Sequence, residues 1–307
     1  MIAAYILAAL LVAVLAISYV CFRMAFYISN KEKQENAARA LPPGKEYLPY
    51  YDAMTTWQKE LKAFASEEFT IRSFDGLTLK GRYYERYPGA PIELMMHGYR
   101  GNAGRDLCGG VQRCFACGRN ALLVDQRASG DSDGNVISFG INEHKDCLAW
   151  VDFMISHFGA DVKIILTGIS MGASTVVMAA GEPLPPNVIG VLADCGYTSA
   201  KEIICKVVED MGIAPKLAYP FVKLGARLFG GFDLDKGSAI DAITRATVPV
   251  IFFHGQNDTF VPCAMSKAMF DACPTRKHLE MVPDAGHGLA FPKDQETYLK
   301  VLKEFFA

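Results

Sequence analysis

The sequence predicts an α/β fold, a mostly parallel central sheet with helices on both faces. Three observations carry that prediction. Short apolar runs recur between Ile92 and Val282 and alternate with helix-length segments, the pattern of strands covered on both faces by crossover helices. The run Ile164–Ile169 leads through Gly168-Ile169-Ser170-Met171-Gly172 into a helix-forming stretch ending near Ala180, a strand, sharp turn and helix with serine at the apex. Asp258 and His287 then each follow a later apolar run, in that order.

Taken from the start, Met1 to Phe22 carries no charged side chain and is dominated by Leu, Ile, Val and Ala. A helix of that length covers about 33 Å, enough for a bilayer core. A cleaved signal peptide would carry basic residues before the apolar run and small residues at its end. Nothing basic precedes this run, no clear Ala-x-Ala follows it, and Val20 before Cys21 fits a lipoprotein site poorly. Residues 1–22 are therefore expected to be a retained, single-pass transmembrane anchor in the cell membrane. Arg23, Lys31, Lys33 and Arg39 follow it closely, which puts the C-terminal side in the cytoplasm. Nine cysteines, scattered and odd in number, agree with a reducing compartment rather than a disulfide framework.

Residues 23–66 read as a juxtamembrane linker. Leu41-Pro42-Pro43-Gly44 breaks it, and Asp52–Ala65 has the pattern of an amphipathic helix. No chemistry is expected there. The catalytic domain is expected over 67–307. It opens with two period-two runs, Phe69–Phe74 and Leu77–Tyr84, around Asp75-Gly76, a β-hairpin. Strands follow at Ile92–Met96, Ala121–Asp125, Ile164–Ile169, Val188–Ala193, Pro249–Phe253 and Leu279–Val282. Helices are expected at Gly104–Cys117, Asn142–Phe158, Met171–Ala180 and Pro292–Phe306. More than fifty residues separate Ala193 from Pro249, too many for a simple crossover. Two helices there, Lys201–Met211 and Ala214–Gly230, with Leu217, Phe221, Leu224 and Leu228 as an apolar surface, are expected to form a lid over the site (about 198–247).

The chemistry follows from the residue types. A serine hydroxyl is a weak nucleophile at neutral pH and needs a base, which in turn needs an orienting carboxylate. The turn around Ser170 holds it clear of the backbone, and Gly168 and Gly172 remove Cβ atoms that would clash there. Asp258 and His287 sit in loops at the C-terminal ends of strands, the edge where open α/β sheets carry their sites. The expected triad is Ser170, Asp258 and His287. Asp194, also after a strand, is the alternative acid, and Asp284 reads as a loop residue. The oxyanion donors are expected to be the backbone N–H groups of Met171 and Tyr99, the latter after His97-Gly98. His97 is expected to shape that loop. Cys114 and Cys117 have zinc-like spacing but no second pair nearby, so no metal and no cofactor is expected. A net charge of −2 leaves no basic field for nucleic acid.

With these residues placed, the chain resembles the α/β-hydrolases. The stretches His97-Gly98-Tyr99-Arg100-Gly101-Asn102, Asp125-Gln126-Arg127 with Gly130-Asp131-Ser132-Asp133-Gly134, and His254-Gly255-Gln256-Asn257-Asp258 are similar to the serine-aminopeptidase-like and BEM46/YqkD-like branch. The resemblance covers roughly residues 68–307. It implies catalytic roles for Ser170, Asp258 and His287 and oxyanion roles for Tyr99 and Met171. Gln126-Arg127-Ala128-Ser129-Gly130 departs from the Arg-x-x-Gly or His-Gly common in relatives and reads as structural. The branch hosts esterases, lipases, thioesterases and peptidases, and fold does not choose among them. The expected function is a membrane-anchored serine hydrolase acting on a small-molecule or lipid ester or thioester. The rivals are a peptidase using the same triad, with Glu202, Glu209 and Asp210 as candidate amine-holding acids, and a catalytically silent membrane binding protein.

Overall fold

In the computed structural model, which describes Met1–Ala307, eight strands form one sheet. They are β1 (Glu67–Arg72), β2 (Thr78–Tyr84), β3 (Ile92–Met96), β4 (Asn120–Asp125), β5 (Ile164–Ile169), β6 (Val188–Asp194), β7 (Val250–Gly255) and β8 (Lys277–Val282). Their spatial order is β1-β2-β4-β3-β5-β6-β7-β8. The β1–β2 hairpin and its pairing to β4 are antiparallel, and every other pairing is parallel. This is the α/β-hydrolase fold the sequence suggests.

The helices are α1 (Ile2–Ala25), α2 (Asn30–Ala38), α3 (Tyr51–Ala63), α4 (Ala103–Asp106), α5 (Cys108–Ala116), α6 (Glu143–Phe158) and α7 (Met171–Ala180). After β6 come α8 (Ala200–Asp210), α9 (Pro215–Gly225), α10 (Ala239–Ile243), α11 (Ala264–Ala272), α12 (Ala290–Lys293) and α13 (Gln295–Phe305). Alternate strand residues feed opposite layers, as period two requires. Leu94, Met96, Leu122, Val124, Val250 and Phe252 pack with α6, α7 and α10, while Met95, Leu123, Ile251 and Phe253 pack toward α5 and α13. Two expected helices are interrupted. Leu107, at φ −108° and ψ 2°, separates α4 from α5, and Asp294 ends α12 while its side chain accepts the Thr297 N–H to start α13.

α1 is long and apolar enough to cross a membrane. The segment after it is not an independent linker. Tyr27 bridges to Val136, the Ile28 N–H donates to Asn135, and the Ile137 N–H donates to Phe26, all through backbone. Phe22, Phe26 and Ile28 are buried in a core shared with Phe139, Ile203, Val222 and Phe232. α2, unforeseen in a polar stretch, starts at a reciprocal capping box between Ser29 and Glu32.

Glu93 is fully buried on β3, where its carboxylate accepts from Arg113 at 2.6 Å, Arg119 at 2.8 Å and the Thr167 hydroxyl at 2.9 Å. Burial alone would raise its pKa, but the two guanidinium groups outweigh that and hold it down at about 2. The network ties β3 and β5 to α5 directly behind the serine turn. Glu93→Gln, which leaves two buried cations facing a neutral amide, is expected to lower unfolding stability by about 3–5 kcal/mol in urea titration.

Candidate active site

The turn between β5 and α7 holds Ser170 at φ 55° and ψ −119°, a left-handed backbone that few non-glycine residues adopt. Its neighbours explain how the strain is held. A Cβ on Gly172 would lie 2.0 Å from the Met96 carbonyl oxygen, and one on Gly168 would lie 2.1 Å from that of Gly172. Only with both absent does α7 close onto β3 and the turn stand upright. The Ser170 N–H donates to the Asp194 carbonyl at 2.8 Å, fixing the turn to the end of β6.

The hydroxyl of Ser170 lies 2.8 Å from His287 Nε2, and His287 Nδ1 lies 2.7 Å from Asp258 Oδ2. Nδ1 faces a carboxylate and carries the proton, which leaves the Nε2 lone pair toward the serine hydroxyl. Asp258 is buried, and its other oxygen accepts the Phe260 and Val261 N–H groups. Burial alone would raise its pKa; donors from His254 and His287 outweigh that and hold it well below the usual carboxylate range. His254, given no role in the sequence reading, supplies one of those donors. Its Nε2 lies 3.2 Å from Asp258 Oδ2 and 2.9 Å from the Val261 carbonyl, while Nδ1 takes the Ser266 hydroxyl at 2.7 Å. The i, i+4 spacing from His254 to Asp258 was the available signal.

Asp194, the alternative acid, does not reach His287. Its Oδ2 accepts the Tyr298 hydroxyl at 3.0 Å, and its Oδ1 has no partner within the protein. Burial pushes its pKa up to about 6. His97 touches neither Ser170 nor His287. It donates from Nδ1 to the Gly98 carbonyl at 2.8 Å and accepts the Gln126 N–H at Nε2, shaping the loop after β3. Arg127, in the departing loop, pairs with Asp75 and Asp146 and is structural. Cys195, Asp258 and His287 bring ligand-type atoms within 4.8 Å of one another, but Asp258 and His287 are already committed to each other and to the serine.

Neither the Tyr99 nor the Met171 N–H makes a hydrogen bond within the protein. The loop of the first is close to the serine, since a Cβ on Gly98 would lie 3.5 Å from Ser170 Cβ. The rest of Tyr99 is tied to α1. Its hydroxyl donates to the Ala25 carbonyl at 2.8 Å, and Arg100, at φ 52°, donates to the carbonyls of Met24 and Tyr27 at 3.0 Å each.

A cavity of about 560 Å³ opens beside Ser170 and His287. Its apolar wall includes Met54, Trp57, Met95, Ile169, Phe260 and Phe291; its charged rim includes Glu32, Glu35, Glu46, Arg39 and Arg100. No residue of 198–247 lines this cavity, and Glu202, Glu209 and Asp210 are absent from it. The insertion packs its buried face on α1, the 136–141 loop, Tyr99 and Met171. Residues 32–57, read from sequence as linker without chemistry, supply the cover.

No protein-family model matches the chain. It is 24% identical to the protein YqkD of Bacillus subtilis over 97% of this chain and 94% of that one. It is 24% identical to Bem46 of Schizosaccharomyces pombe over 78% of this chain and 76% of that one. The solved structure of the Pyrococcus furiosus esterase Pf2001 superposes with a TM-score of 0.65 at 22% identity, covering 80% of this chain and 92% of that one.

The raised pKa of Asp194 has a checkable consequence. The folded state favours its neutral form, so the penalty of burying the charge grows as pH rises from the ordinary carboxylate value to about 6, and is complete above it. Asp194→Asn keeps the oxygen facing Tyr298 and removes the charge. It is expected to be more stable than the parent by about 1–3 kcal/mol at pH 8 and equal to it near pH 3, measured by denaturant unfolding across that range.

Proposed function

We propose, for a chain that belongs to the YqkD- and Bem46-like branch of the α/β-hydrolase superfamily, a membrane-anchored serine hydrolase that cleaves a carboxylic ester or thioester through an acyl-enzyme. The observation that carries this reading is the continuous chain from Ser170 Oγ through His287 to Asp258, at 2.8 and 2.7 Å. Ser170 Oγ attacks the acyl carbon and passes its proton to His287 Nε2. The amides of Tyr99 and Met171, free of other partners, receive the negative charge that develops on the carbonyl oxygen. His287 then gives the proton to the leaving alkoxide or thiolate. Water, deprotonated by the same nitrogen, attacks the acyl-enzyme and releases the acid and Ser170. Asp258 holds His287 in the required tautomer and offsets its charge while it is protonated. The name of the Pyrococcus furiosus neighbour, an esterase, supports the ester class. The apolar wall at Met54, Trp57 and Phe291 suits a lipophilic acyl or alcohol group. Anchoring through α1, with the catalytic domain in the cytoplasm, rests on the length of that helix and on the basic residues after it.

A peptidase reading is favoured by one observation. Glu46 faces the cavity without an ion-pair partner and would hold a substrate ammonium group. Arg39 and Arg100 on the same rim weigh against it.

In full-length protein, Ser170→Ala is expected to abolish labelling by a fluorophosphonate probe and to lower p-nitrophenyl ester hydrolysis by roughly four to six orders of magnitude. Equal labelling of parent and variant would remove Ser170 from the nucleophile role. Turnover of aminoacyl anilides with no turnover of any ester would favour the peptidase.

A further inference from the structure

α1 does not leave the fold as a free rod. Ser18 and Phe22 are buried, Val14, Cys21 and Ala25 are half-buried, and these positions form one helical stripe. The stripe lies on α9 and the single π turn Ala226–Gly230 that continues it. Gly225 brings α9 against the Ser18 carbonyl and Phe22, and the rings of Tyr19 and Phe229 meet edge to face at 5.1 Å. At and around this joint the insertion leaves large apolar side chains partly or fully in the open. Leu217 is 71% exposed, Leu228 52% and Phe229 40%, and Met211 and Ile213 precede them in the turn from α8. Leu217, Phe221, Leu224 and Leu228 recur at i, i+4, i+7 and i+11, one face of a helix. The charged residues from Pro215 to Gly230 are Lys216, Lys223 and Arg227, all basic.

We propose that this apolar face of the insertion is immersed in the cytoplasmic leaflet of an anionic bilayer, alongside the anchor. The proposal rests on the reading of α1 as a membrane-spanning helix. The depth follows from the helix itself. The uncharged part of α1 ends at Arg23, which marks the headgroup level. Ser18 lies five residues earlier, about 7.5 Å deeper at 1.5 Å per residue. The insertion touches α1 at Ser18 and Tyr19 and is therefore carried below the headgroups, at the depth of about 5–10 Å at which interfacial helices bury their apolar side. Lys216 and Arg227 are then placed to meet anionic headgroups. A second copy of the chain on this face would have to share the space with the lipid that α1 itself requires.

The test uses full-length protein in vesicles of phosphatidylcholine and phosphatidylglycerol, with ordinary or mid-chain-brominated acyl groups, the contribution of Trp57 and Trp150 being subtracted. Four single variants carry the probe: Leu217→Trp and Phe229→Trp on the insertion, Leu10→Trp within α1, and Asp161→Trp before β5, at the end of the sheet away from Ser170. Loss of most of the added emission in brominated vesicles at Leu10, Leu217 and Phe229, with none at Asp161, is the expected result. Quenching at Leu10 without quenching at Leu217 and Phe229 overturns the proposal and leaves the anchor standing. No quenching at Leu10 overturns the anchor reading and the proposal with it. Equal quenching at Asp161 shows indiscriminate adsorption and also overturns it.

Discussion

The contact on which the site depends is the approach of the α7 backbone to the carbonyl oxygens that end β3. Gly172 permits it, and a Cβ there would fall within 2.0 Å of Met96 O and 2.7 Å of His97 O. Three things follow from that closeness. Ser170 is forced into its left-handed turn and projects its hydroxyl away from the sheet. The Met171 amide starts a helix and so keeps its hydrogen free. The loop Gly98–Arg100 comes beside the serine, where a Cβ on Gly98 would lie 3.5 Å from Ser170 Cβ. The Glu93 ion network lies behind this arrangement and keeps β3 and β5 from parting.

Two carboxylates at that edge show how surroundings divide similar groups into different roles. Asp194 and Asp258 both follow strands and both are buried. Asp258 collects donors from two histidines and two backbone amides and is stable as an anion. Asp194 receives one phenolic hydroxyl and resists ionisation. The difference between a carboxylate held as an anion and one that resists ionisation is a count of donors, and it is written in the loop Asp258-Thr259-Phe260-Val261, whose turn delivers two of them.

Much of the fold was legible because its central strands are buried on both faces and so read as short, mostly apolar runs. β3 and β5 begin and end where the hydrophobicity does. The convergence of Ser170, Asp258 and His287 at one edge was legible for a topological reason: parallel strands bring all their following loops to the same side. What could not be read is tertiary in origin. α2 has no apolar face and is held by long-range polar contacts, such as Lys33 Nζ to the Ser132 carbonyl at 2.8 Å and the Glu32–Arg100 pair at 3.5 Å. Nothing in residues 32–57 announces that they wall the cavity. The insertion was only partly legible for the opposite reason. Its apolar pattern is visible, but periodicity says only that a face is covered, and here the cover includes α1 as well as Tyr99 and Met171. His254 was hidden because a buried histidine serving an acid, marked only by its i, i+4 spacing to Asp258, looks in sequence like any other.

The bonds from Tyr99 and Arg100 to the last carbonyls of α1 carry one more implication. Helix ends normally leave those carbonyls to water or to a cap of their own. Here they are held by Tyr99 and Arg100, the two residues that follow Gly98 beside the serine. In mechanical terms α1 is a cantilever clamped at its root, and the clamp adjoins the loop beside Ser170. The longest helix of the molecule and the loop beside Ser170 are thus tied directly, by two side-chain hydrogen bonds to α1 and one to Tyr27.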